Sequence, residues 1–269
     1  MGILKKSDPW EQEFREVWRR ERKFLEQYGQ QRVSPVDSAV ESIAPEKLLN
    51  TLHRAFEKAF TLVFEKGSGL IRKAGRQAER RRAYQVREYA ANLQESRKNL
   101  RAFSKAADKA GRSSVLLSGA AGVGMGFFGV ALPDVPLFTA MLLKAVYETA
   151  ESFGFPCEGE SEQLYALRLI EAALSDGEDL RQRSRELDEY AQVGVWTRPV
   201  GMKDQIRATA RQVSGAVLYG KALQGVPVVG AVGGAADAVC LGRVRRYAAI
   251  KYRKRFLIRR RTGGLTVRM

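Results

Sequence analysis

An all-α fold is predicted by three observations. Apolar residues recur at three- and four-residue steps through most of the chain, no stretch alternates apolar with polar residues long enough to demand a strand, and glycine or proline punctuates the periodic segments. With 269 residues and 45% hydrophobic content, the chain can bury a full core in one multi-helix domain. The first helix follows Asp8 as its cap, with Pro9 as first helical residue and Glu11 three positions after the cap. Trp10, Phe14, Val17, Trp18, Phe24 and Leu25 make its apolar stripe, and Gly29 is its stop. A second helix begins near Pro45, carries Leu48, Leu49, Leu52, Phe56, Phe60 and Val63, and ends at Gly67 and Gly69. Gln77 to Ala110 reads as one long helix exposed on much of its girth, with Tyr84, Tyr89, Leu93, Leu100 and Phe103 as its apolar members.

Further helices are expected from about Val135 to Phe153, stopped by Gly154 ahead of Pro156, and from Ser161 onward through Leu164, Leu167, Leu169 and Leu174. Glu178 to Gln192 reads as a helical connector or an exposed hairpin. A helix from about Asp204 to Leu223 is followed by a break at Gly225 and Pro227 and a long helix into the arginines. The chain thus divides into an N-terminal helical arm (1–35), a helical domain (36–260) and a basic C-terminal tail (261–269).

Nineteen consecutive residues, Val115 to Pro133, carry no charge and lead through Asp134, Val135 and Pro136 into a second apolar stretch reaching Leu143. The span approaches the roughly 20 residues of a membrane helix. Five glycines and the Pro-Asp-Val-Pro break make it read instead as two close-packed helices joined at a corner. Gly122 and Gly126 share a helix face, and Gly230 and Gly233 offer a second smooth face in Gly225 to Val239, so the two glycine surfaces are expected to pack together.

Asp134 has two readings, a helix N-cap and an acid in an apolar pocket that serves catalysis. Asp237, in an otherwise uncharged run, calls for a buried partner such as Lys144 or Arg243. These two aspartates are the catalytic candidates.

Charge narrows the partner. The chain carries 46 basic against 30 acidic residues, a net charge of +16, which favours anionic partners. No Asp or Glu follows Asp237, whereas basic residues crowd the end of the chain. Arg246, Lys251, Arg253, Lys254, Arg255, Arg259 and Arg260, interleaved with Tyr247, Tyr252 and Phe256, suit the headgroup layer of an anionic membrane, and the same list suits RNA. The neighbouring glycine-rich apolar segments favour the membrane.

Several chemistries lack support. Gly124, Gly126 and Gly129 spell a dinucleotide fingerprint, but Pro133 and Pro136 interrupt the helix it needs, and no cofactor is expected. Gly215 to Lys221 has phosphate-loop spacing with Ala222 in place of the magnesium-binding Ser or Thr. The single His53 and the unpaired Cys157 and Cys240 offer no metal site or disulfide framework. No cleaved secretory signal is expected, and Lys6 stands where a myristoylation motif requires Ser or Thr.

The run Gly119 to Phe155, with glycines, an acid-proline pair and a helix ending in Phe-Gly-Phe, resembles the central signature of the EcsC family. Val226 to Leu257, a proline-glycine turn followed by small residues and a basic helix, resembles that family's C-terminal signature. With the helix after Pro45, the resemblance covers roughly residues 40 to 260, and Asp237 stands where the family typically has Asn. The resemblance implies a bacterial, largely helical, membrane-associated protein, linked genetically in the founding member to an ABC transporter. It transfers no catalytic residue.

The expected function is therefore a cytoplasmic protein, peripheral on the inner face of the plasma membrane, binding anionic lipid or a membrane-protein partner such as a transporter, with homo-oligomerisation open. The alternatives are a hydrolase acting on a lipid or another apolar substrate, and an RNA-binding protein.

Overall fold

The computed structural model describes residues 8–30, 46–66, 77–110, 135–223 and 233–262. Among them nine helices and no strand are present, so the fold is all-α. In chain order these are α1 (Pro9–Tyr28), α2 (Glu46–Lys66), α3 (Gln77–Leu93), α4 (97–110), α5 (Val135–Ser152), α6 (Glu160–Leu174), α7 (Gly177–Val193), α8 (Met202–Leu223) and α9 (Gly233–Arg261).

Local chemistry sets most helix ends. The Asp8 carboxylate accepts the Trp10 N–H at 3.0 Å, Pro9 fills the first turn, and the Gly29 N–H bonds the Leu25 carbonyl. At the end of α5, Gly154 takes φ +76°, and its N–H bonds the Glu151 carbonyl while that of Phe155 bonds the Ala150 carbonyl. Gly194, at φ +80°, closes α7 in the same left-handed conformation. The phosphate-loop spacing from Gly215 to Lys221 lies inside the continuous helix α8.

One long helix was expected from Gln77 to Ala110, and the structure breaks it at Gln94 to Ser96. The Ser96 hydroxyl accepts the Asn99 N–H at 3.2 Å, and the Asn99 side chain donates to the Ala90 and Gln94 carbonyls. Two short polar side chains thereby end one helix and start the next.

α9 occupies the middle of the assembly and packs against α1, α5, α6, α7 and α8. Because neighbours surround its middle, both apolar and basic residues are covered there, from Tyr247 to Leu257, while Val239 and Arg246 nearer its start stay exposed. Tyr247, Tyr252 and Phe256 are buried, with ring centroids 4.7 Å from Phe24, 5.3 Å from Tyr165 and 4.5 Å from Phe103 respectively. α6 is covered continuously from Tyr165 to Leu174.

The expected N-terminal arm is a core helix. Its buried face is Glu13, Val17, Glu21 and Phe24, and the Trp10 indole donates to the Leu257 carbonyl at 2.9 Å. Of the apolar stripe read from the sequence, Val17 and Phe24 lie on this face and Trp10, Phe14 and Leu25 pack at its edges, while Trp18 is exposed. Asp134, Gly122, Gly126 and Gly230 lie outside the described residues, and Gly233 is the first residue of α9.

Candidate functional site

The cations expected to form a basic surface face inward instead. Lys251, Arg253 and Lys254 are only 1%, 3% and 7% exposed. The Lys251 ammonium meets Glu21 at 2.5 Å, Asp188 at 2.7 Å and the Ser184 carbonyl at 2.9 Å. Lys254 meets the other oxygens of the same two acids at 2.6 and 2.8 Å. Two lysines and two carboxylates thus alternate in a neutral box between α1, α7 and α9. Beside it Arg253 pairs with Glu13 and Glu16, on which Arg97 and Arg101 of α4 also converge.

The remaining residues of that basic group cap or stack. Arg255 forks onto Glu162 at 2.8 and 3.0 Å and lies over the rings of Phe155 and Tyr165 at 4.3 and 4.5 Å. Arg259 donates to the Phe153 and Gly154 carbonyls and so caps the C-terminus of α5. Arg260 does the same for α3 through Ala91 and Asn92. Only Arg246 is exposed, donating to the Gln27 side chain and the Tyr28 hydroxyl. The physical reason for the correction is desolvation. Charges placed on a helix surrounded by other helices are stable there only when acids accompany them; α1 supplies Glu13, Glu16 and Glu21, α6 Glu162 and α7 Asp188.

The box sets the proton affinities of its acids. Burial pushes the Glu21 carboxyl up, but Lys251 and then Lys254 outweigh it and hold the group below the usual range. Burial likewise raises Glu16, and the Arg101 hydrogen bond together with the Arg253 charge brings it down to about 2. Lys251 is held above the ordinary lysine value: burial lowers it, and the negative potential of Tyr247, Asp188 and Glu21 raises it further. These groups are held in their charged forms by their partners and tie α1, α4, α7 and α9 together.

The catalytic candidates are not brought together among the described residues. Asp237 is half-buried in the first turns of α9, where its charge adds to burial in pushing the Cys240 thiol up to about 12. Arg243, one of the two partners anticipated for it, is bound by the Ser175 carbonyl and by Asp176 at 2.9 Å. Both cysteines are buried, which suppresses thiolate reactivity. Among the described residues no three His, Cys, Asp or Glu side chains gather as a metal site requires, and His53 meets only the Arg207 carbonyl, at 3.3 Å.

Two surfaces stand out on geometry. The first is a groove of about 660 Å³ between α1, α4, α5 and α9, with Val17, Phe24 and Ile250 among its apolar walls. Its cations divide into two sets. Arg20, Arg243 and Arg253 are answered by Glu16, Asp176 and Glu13, whereas Lys23, Arg245 and Arg246 have no carboxylate partner among the described residues. A smaller cavity of about 340 Å³ near Arg168 is electrically closed by comparison, since Arg168 pairs with Glu186 and Arg183 with Glu171.

The second surface is the outer face of α3. Arg82, Val86, Tyr89 and Leu93 recur at four, three and four residues and so share one helix face. The last three are 69%, 67% and 70% exposed, with Arg81 also turned to solvent. Sequence periodicity had placed Tyr89 and Leu93 among the apolar members of this helix but could not assign them to the outside. The absence of a matching apolar stripe for Tyr84 and Ala91 to share with them was the available signal.

Helices all round, ion-paired cations in the interior and a partly unneutralised basic groove define a class: an all-α protein with no metal-type cluster of acids, cysteines and histidines among its described residues. Within that class, the EcsC protein family matches residues 11–257, so the chain belongs to the EcsC family. The match begins inside α1, earlier than the roughly residue 40 at which the resemblance was first placed. No curated protein and no solved structure matches the chain.

Proposed function

We propose that this EcsC-family protein attaches peripherally to anionic membrane surfaces, at the cytoplasmic face, by laying α3 on the lipid. The observation that carries the reading is the outward stripe of Val86, Tyr89 and Leu93 with Arg81 and Arg82 beside it. Apolar and aromatic side chains on one helix face with arginines at its edge match the interfacial helix, whose rings enter the headgroup layer while its cations meet lipid phosphate. Each arginine near such a surface contributes about 1 kcal/mol, and each apolar side chain about 1 kcal/mol at partial burial. The sum, on the order of 5 kcal/mol, suits reversible attachment. Among the described residues no helix is long and apolar enough to cross a membrane.

Flotation of the full chain with phosphatidylglycerol vesicles, compared with phosphatidylcholine and with an RNA competitor present, tests this reading. Flotation is expected on the anionic vesicles. The variant Arg81→Glu, Arg82→Glu, Tyr89→Ser is expected to float at least tenfold less while melting within about 1 kcal/mol of the wild type, because exposed substitutions cost little. Undiminished flotation of the folded variant sinks the α3 reading. Displacement from lipid by RNA at low salt favours a nucleic-acid partner instead.

A further inference from the structure

We infer that the groove between α1 and α9 holds the phosphate head and upper chain of a single anionic phospholipid. The inference rests on the membrane reading for the source of the lipid, but it concerns a separate surface and a one-to-one complex.

Shape supports it first. A volume of about 660 Å³ falls within the range of small-molecule sites, roughly 300–1,000 Å³. On the α9 side the wall is made by Ala238, Gly242 and Ala249, spaced four and seven residues apart and so on one helix face. Gly242 is the informative member. Glycine is the poorest helix former after proline, and in helix interiors it is usually explained by a neighbour packed too close for a side chain. Here a Cβ at residue 242 would meet nothing within 4 Å. Among the described residues the glycine accommodates no neighbour, and what it keeps open is the groove.

Charge supports it independently. Most cations of α9 have acids or carbonyls of their own, whereas Arg245 and Arg246 of α9, together with Lys23 of α1, meet no carboxylate among the described residues, Arg246 donating only to the neutral Gln27 and Tyr28 side chains. Asp108 is the one acid among the groove-lining residues, which leaves a positive excess that a phosphate would neutralise. The buried Nε of Arg243, also on the groove, has no hydrogen-bond partner. Polarity is graded along the site. Ala238 and Ala249 offer apolar contact to a chain, and Val239 stands exposed at the margin, where the chain would leave toward a bilayer. A free inorganic anion would use the cations and leave this apolar wall unexplained, and a neutral chain would leave the cations unexplained.

The test is titration calorimetry on the full chain with dihexanoyl phosphatidylglycerol below its micelle concentration, alongside dihexanoyl phosphatidylcholine and inorganic phosphate. Saturable one-to-one binding is expected for the glycerol lipid, at least tenfold weaker binding for the choline lipid, and no saturation with phosphate. Gly242→Phe fills the groove, replaces a poor helix former and is expected to melt no lower than the wild type, while binding falls at least tenfold. Lys23→Glu with Arg245→Glu, both outside the buried ion pairs, is expected to give the same loss.

Equal binding of the two lipids, saturation by phosphate alone, or undiminished binding in either folded variant overturns the inference. Monomer binding without vesicle flotation overturns the membrane reading and leaves the groove standing. Flotation without monomer binding does the reverse.

Discussion

Lys251→Met lowers the free energy of unfolding by about 3–5 kcal/mol, the usual cost of removing one partner from a buried ion pair. Methionine nearly matches the length of the lysine stem, so packing survives and the loss is electrostatic. Glu21 and Asp188 are left sharing Lys254 alone, a buried and a half-buried carboxylate on one ammonium. At about 2–4 °C per kcal/mol for a chain of this size, the melting temperature drops by roughly 6–20 °C. Adding Glu21→Gln to Lys251→Met restores part of the loss, because a neutralised pair costs less than an orphaned charge. Urea unfolding followed by circular dichroism measures both, and a single-variant loss below about 1 kcal/mol would show that water reaches the box.

The same box predicts the pH profile. Glu16 and Glu21 both have folded-state proton affinities depressed below the unfolded value of 4.5. Their stabilisation is therefore complete above about pH 4.5 and is lost as the pH falls toward the folded-state value, which for Glu16 is about 2. Lys251 is raised above 10.5, so its share is complete below that value and is lost only as the pH rises beyond it. These groups leave the melting temperature flat between about pH 5 and pH 10, with a fall on the acid side that Glu16→Gln makes shallower.

Gly154→Ala is expected to cost about 2–4 kcal/mol. The left-handed backbone at φ +76° penalises any Cβ by about 1 kcal/mol, and overpacking adds about 1–3 kcal/mol. The new methyl would lie 2.2 Å from Tyr84 Cζ and 2.6 Å from its hydroxyl oxygen. That ring cannot swing freely: its hydroxyl donates to Glu88 at 2.6 Å and accepts from Arg259 at 3.1 Å, and its edge packs on Phe103. Thermal melts of Gly154→Ala with and without Tyr84→Leu separate the two contributions. Recovery of the steric part by the second substitution is expected, and a cost below about 1 kcal/mol for Gly154→Ala alone would mean that the ring yields.

Features encoded within a few residues were readable in advance. Asp8, Pro9 and Gly29 bracket α1, and Gly154 with Pro156 ends α5, because caps and left-handed stops act over one helical turn. The division between α3 and α4 was missed because Ser96 and Asn99 mark it without a glycine or proline. The character of the basic helix was missed for a different reason. Nothing near Lys251 or Arg253 in the chain announces that Glu13, Glu21 and Asp188 will cover them. A retrospective signal existed: the end of the chain lacks acids altogether, while the first helix places glutamates at 13 and 21 on the same face as Val17 and Phe24. The groove was beyond reach, since four helices have to meet before Gly242 faces open space.

The pairing of α1 with α9 also bears on how the chain is made. Glu13 and Glu21 find their cations 240, 230 and 233 residues downstream. At roughly 5–20 residues per second of synthesis, α1 waits on the order of 10–50 s outside the ribosome with its acids hydrated and its apolar stripe uncovered. An N-terminal segment that ends before α9 leaves Glu13 with only Arg97 and Arg101 of α4 and lacks both lysines of Glu21, so growing intermediates cannot reach the finished arrangement. Among the described helices α1 is synthesised first and locked in place last, and a holdase that shields Phe24 and Trp10 during that interval would raise the yield of folded protein.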